Sequence, residues 1–87
     1  MAPTIGRIVH YRLTQSDAEA IAKALPTAGR NYAAEDHYYP AMVVAVFGNG
    51  EHVNLKVFLD GGPGAEYWAT SRPEGDMPGT WTWPPRV

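Results

Sequence analysis

Apolar residues recur along this chain with two different periods, and the change from one to the other marks out its elements. From Ile5 to Leu13, the residues Ile5, Val9, Tyr11 and Leu13 share one parity while His10 and Arg12 take the other. That alternation predicts a strand with one core-facing side. Arg7 on the apolar parity and Ile8 on the polar one interrupt it, so the first half is expected at an edge or bent at Gly6. The period then lengthens. Ala18, Ile21, Ala22 and Leu25 fall at i, i+3, i+4 and i+7, one face of a helix of about three turns. Thr14 suits the N-cap, and Asp17 three residues on completes an Asp variant of the capping box. Asp17 and Glu19 early and Lys23 late match the helix dipole, and Pro26 stops the helix.

Between Thr27 and Tyr39 the pattern dissolves, and both a helical turn over Tyr32 to Asp36 and a long ordered loop are open. Ala41 to Phe47 is almost continuously apolar, which predicts a strand covered on both faces. Gly48-Asn49-Gly50 supplies a hairpin turn, with Asn-Gly suited to left-handed backbone. Val53 to Asp60 alternates strictly: Val53, Leu55, Val57 and Leu59 inward, Asn54, Lys56, Phe58 and Asp60 outward. After Gly61-Gly62-Pro63-Gly64, Ala65 to Ser71 reads as a strand with Tyr67 and Trp68 on opposite faces. Thr80-Trp81-Thr82-Trp83 closes the series with two tryptophans on one face, and Pro84-Pro85 ends it.

The expected fold is therefore mainly β: one domain over residues 1–87, a small five-stranded SH3-like barrel with one short α-helix inserted after the first strand. Closure removes the exposed edges that a small β domain must otherwise protect. An OB-type barrel ranks second, and an open sheet with the helix on one face third.

Composition narrows the chemistry. The chain has no cysteine, which excludes disulfides, thiolate nucleophiles and cysteine-based zinc sites. Its formal charge is −2, and Arg7, Arg12, Lys23, Arg30, Lys56, Arg72 and Arg86 are scattered, with no two adjacent. General phosphate binding, which needs a basic stripe, is disfavoured. A local basic face requires Arg12 and Lys56 to meet across the sheet. No run reaches the roughly 18 apolar residues of a membrane span, so the expected location is the cytosol.

Trp81, together with Trp68 or Tyr67, is assigned to the core. Phe58 stands outside by strict alternation and, with Tyr38, Tyr39, Arg12 and Lys56, makes the expected interaction surface. His10, His37 and His52 lie far apart, and Glu35-Asp36-His37 reads as a solvated acidic loop, so neither metal nor cofactor is expected. Ser16 and Ser71 sit beside no base, and Gly61 to Gly64 is a turn rather than a phosphate cradle. Catalysis is not expected.

Several segments carry a resemblance. They are Met1-Ala-Pro-Thr-Ile-Gly-Arg-Ile-Val-His-Tyr11, Asp17 to Ile21, Tyr39-Pro-Ala-Met-Val-Val-Ala-Val46, Val53-Asn54, Leu59-Asp60-Gly61, Trp68-Ala-Thr-Ser71, and Pro78 to Val87. Together they resemble a family of short proteins encoded by tailed bacteriophages of actinobacteria. The similarity spans nearly the whole chain and departs most over Ala28 to His37, a natural place for a partner-specific surface. That family has no established activity, so the resemblance transfers no catalytic residue. It implies a phage accessory protein in the cytoplasm of the infected host, binding a host or phage protein and perturbing host physiology. A virion or self-assembling component, with a homo-oligomer, is the first alternative, and a nucleic-acid-binding barrel the second. More loosely, Tyr39-Pro-Ala-Met-Val43 before alternating strands and a late tryptophan is similar to Tudor- and PWWP-like barrels.

Overall fold

The computed structural model describes residues 2–24 and 30–85. It is mainly β, with strands β1 (Ile8–Arg12), β2 (Tyr38–Phe47), β3 (His52–Phe58), β4 (Glu66–Arg72) and β5 (Trp81–Thr82). The helix α1 (Gln15–Ala24) lies between β1 and β2. Every strand pairing is antiparallel and the strand order is β4-β3-β2-β1-β5.

β1 starts later than its apolar pattern suggests. Gly6 adopts φ 93°, a backbone that side-chain-bearing residues avoid, and Arg7 N–H closes the turn on the Thr4 carbonyl at 3.2 Å. The bend turns Ile5 out, leaving it 71% exposed, so Ile5 does not belong to the core. Val9, Tyr11 and Leu13 are fully buried as the alternation requires.

The cap of α1 forms as expected: Thr14 Oγ1 accepts the Asp17 N–H at 2.9 Å and Asp17 Oδ2 accepts the Thr14 N–H at 3.0 Å. The buried face is rotated from the expected one. Asp17 and Ile21 are buried, Ala18 is half-buried and Ala22 is exposed. A carboxylate with partners waiting inside outcompetes an alanine for the inward position. Leu25 and Pro26, expected to end the helix, lie outside the described residues.

From Arg30 to His37 the chain forms no helical turn. Asn31 instead bonds Asp60 through backbone (2.7 Å) and side chain (2.6 Å), while Asp36 and His37 extend the pairing beside Leu13. β2 buries Ala41 and Val43, whereas Met42 and Val44 on its other side are only half-buried. The strand is therefore not enclosed on both faces. A register shift between Val43 and Ala45 brings Val46 against the core. In the following hairpin the left-handed backbone falls on Gly48 and Gly50, not on Asn49.

β3 buries Val53, Leu55 and Val57. β4 turns Ala69 inward, with Tyr67 packing on the core. Trp68 points away and is 61% exposed, so of the two rings expected in the core with Trp81, Tyr67 packs on that core and Trp68 does not. Trp81 itself is fully buried, with Trp83 edge-on at 5.4 Å.

The sheet is not closed. β4 and β5 share no ladder; the chain beyond β4 reaches β5 through one parallel bridge, with Gly75 N–H to Trp81 O (2.9 Å) and Trp81 N–H to Pro73 O (3.1 Å). The inward residues of all five strands and Ile21 of α1 nevertheless form a single apolar cluster.

Candidate protein-binding face

The sheet has a polar anchor on its inner side and an apolar row on its outer side. The anchor is Asp17, 1% exposed. Its Oδ2 accepts the Tyr11 hydroxyl (2.5 Å) as well as the Thr14 amide, and its Oδ1 accepts the Tyr67 hydroxyl (2.7 Å) and Arg72 Nη2 (3.1 Å). Four donors fill the acceptor sites of one carboxylate. They come from β1, β4 and the helix cap, so a single side chain pins α1 to both halves of the sheet. Arg72 also lies 5.7 Å from the Tyr11 ring centroid.

Burial alone pushes the Asp17 carboxyl up; the Thr14 amide, the Tyr11 and Tyr67 hydroxyls and the Arg72 charge outweigh it and hold the group below its ordinary value. Burial first, then the bond to Asp17, raises Tyr11, and the same causes push Tyr67 up to about 12. The signs follow from linkage. A depressed carboxyl contributes stability above its unfolded pKa that is lost as pH falls below about 4. A raised phenol contributes stability below its unfolded pKa that is lost as pH climbs from about 10 towards the folded value. Urea midpoints measured across pH should therefore form a plateau that drops at both ends. Asp17→Asn is expected to flatten the acid limb, and an unchanged acid limb in that variant would remove Asp17 from the account.

On the outer side, cross-strand register aligns Ile8, Met42, Lys56 and Trp68 from β1, β2, β3 and β4 in one row. Beside it, Phe58 is paired with Glu66, and His10 lies between Pro40 and Thr82. Tyr38 and Arg12 are paired at the β1–β2 end, with the guanidinium 5.7 Å from the Tyr38 ring centroid. Ile8, Tyr38, Phe58 and Trp68 are all exposed. A groove of about 390 Å³ runs past Tyr38, lined by His10, Thr82, Trp83 and Pro85. A second, of about 470 Å³, separates α1 from residues 32–35 and has Glu19 and Glu35 on its walls.

The five expected surface residues divide. Phe58 and Tyr38 lie on the outer face. Tyr39 takes the opposite parity, half-buried against the core, with its hydroxyl 3.3 Å from His37 Nδ1 and its phenol raised by burial and then by Asp60. Arg12 and Lys56 do not meet, because Arg12 stands opposite Tyr38 and Lys56 opposite Met42, four residues along β2. Each has its own carboxylate: Arg12 with Asp36 at 3.1 Å and Lys56 with Glu66 at 3.4 Å. Sequence reasoning missed Trp68 and Ile8. The signal for Trp68 was present, since a Tyr-Trp pair must send one ring out and Ala69 shares parity with Tyr67.

Among the described residues no three His, Cys, Asp or Glu side chains converge on one point. His10 lies on β1, His37 before β2 and His52 at the start of β3. Among the described residues no helix is long and apolar enough to cross a membrane. No family model, curated protein or solved structure matches the chain.

Proposed function

We propose that this chain is a non-catalytic interaction module, a phage accessory protein that docks a host or phage protein on the outer face of its sheet and perturbs host physiology. The observation that carries the reading is the outer apolar row with its flanking rings. Ile8, Tyr38, Phe58 and Trp68 are 44%, 52%, 37% and 61% exposed, four large apolar side chains left in water on one side of the sheet. The strand order, with β5 returning beside β1, supports reading the domain as an SH3-like barrel. The non-catalytic part draws support from Asp17, the one buried carboxylate among the described residues, whose acceptor sites are all filled by structural donors.

Nucleic-acid binding loses support from the same geometry. Arg12 and Lys56 are separated and each is neutralised by a neighbouring carboxylate, so phosphate contacts would have to break existing ion pairs.

Capture from host lysate, followed by titration of the purified partner, tests the proposal. Tyr38→Ala and Phe58→Ala should each weaken binding about tenfold or more, the usual cost of truncating a central aromatic contact, with folding unchanged. A partner that binds both variants as tightly as wild type would move the site off this face.

A further inference from the structure

We propose that the free edge of β4 pairs antiparallel with the β4 edge of a second copy, joining two five-stranded sheets into one. It does not rest on the docking reading above, and it takes Trp68 out of the exposed row.

Leu59 N–H donates to the Ala65 carbonyl at 2.9 Å, and Leu59 and Ala65 continue the register in which Val57 faces Tyr67 and Leu55 faces Ala69. In an antiparallel ladder the residues bonded to the neighbour alternate with residues whose N–H and C=O point away. Ala65, Tyr67 and Ala69 therefore face β3, and the Glu66 carbonyl and the backbone groups of Trp68 and Thr70 point to the open edge, the Glu66 N–H being turned back to the Gly64 carbonyl at 2.9 Å. Among the described residues, no backbone group beyond β3 bonds the amides of Tyr67 to Arg72. From Glu66 to Thr70 there is no lysine and no proline, and Glu66 is the one charged residue. The register with β3 slips between Ala69 and Arg72, where Ser71 adopts φ 55° and its N–H turns to Asn54 Oδ1 at 2.8 Å.

β4 suits its own copy. With the two-fold axis at Trp68, the Trp68 N–H and C=O meet the same groups of the second chain, and each Thr70 N–H meets a Glu66 carbonyl. The register sets Trp68 against Trp68 on the outer face, and Tyr67 against the small Ala69 on the inner face. It also sets the Thr70 hydroxyl against the Glu66 carboxylate, a donor and a charged acceptor matched twice by symmetry. Each copy carries a charge of −2, yet the central three residues of the seam are uncharged, and Glu66 is already balanced by Lys56. Pairing shelters the Trp68 indole, and the two outer rows become continuous.

The experiment is sedimentation equilibrium of the full chain up to hundreds of micromolar, with hydrogen exchange of single amides. Wild type should show twice the monomer mass, with the Trp68 and Thr70 amides protected. Thr70→Pro removes an N–H that points away from β3, so the monomer fold tolerates it while strand addition is blocked; it should weaken the dimer more than tenfold. Trp68→Lys, an edge lysine, should do the same and decides the matter if the proline variant fails to fold. A wild-type monomer throughout the range overturns the proposal, as would a dimer that survives both substitutions or leaves the two amides exchanging freely.

Discussion

Asp17→Ala should cost about 3–5 kcal/mol of folding stability, because it strands buried donors rather than merely deleting a bond. The Tyr11 hydroxyl, the Tyr67 hydroxyl and Arg72 Nη2 all lose their acceptor at once, and the Thr14 amide loses its cap. An 87-residue domain has a total margin on the order of 5–10 kcal/mol, so the variant should be near the edge of folding at ambient temperature. At about 4–8 °C per kcal/mol for a domain of this size, the melting temperature should fall by tens of degrees. Asp17→Asn keeps the shape and part of the acceptor capacity, so it should fall between wild type and Asp17→Ala. Thermal unfolding followed by circular dichroism decides the order; a melting temperature within a few degrees of wild type for Asp17→Ala would show that the helix is held by apolar contact alone.

Trp81→Ala should be comparably severe, about 3–5 kcal/mol, but for a different reason. Trp81 is the largest fully buried side chain, and it sits on a strand only two residues long. Its indole Nε1 meets no acceptor among the described residues, so the loss is apolar area, ring packing against Trp83 and an unfilled volume, with no hydrogen bond involved. Trp81 also bonds Pro73 and Gly75 through its backbone and pairs with Tyr11. Truncation should therefore loosen β5 and the residues beyond β4 together. Urea unfolding should show a lower midpoint, and exchange of the Gly75 and Arg12 amides should quicken. A midpoint close to wild type would mean that the core collapses into the space at little cost.

Most strands were legible from alternation because one face of each is wetted. Val53, Leu55 and Val57 against Lys56 and Phe58 is the clearest case. Where a strand is apolar on both parities, as in β2, the pattern could not tell buried from half-buried, and Met42 and Val44 were over-assigned to the interior. The start of α1 was legible because its cap is local, made by Thr14 and Asp17 three residues apart. Its buried face was not, since Asp17 turns inward only because Tyr11, Tyr67 and Arg72 converge there from six, 50 and 55 residues away.

The candidate face divides along the same line. Phe58 was found by parity, a property of neighbouring residues, whereas the expected surface includes both Tyr38 and Tyr39, which parity divides. The separation of Arg12 from Lys56 and the alignment of Ile8 with Trp68 depend on register between strands, which parity does not specify.

Periodicity, caps and turn residues thus determined the kind and order of the elements, because each acts over a few residues of backbone. Which strand lies at the edge, which aromatic ring faces water and which carboxylate is drawn inside were decided only when distant segments packed. Burial free energy and hydrogen-bond satisfaction are settled by partners that meet in space, and the chain pattern holds no record of their distances.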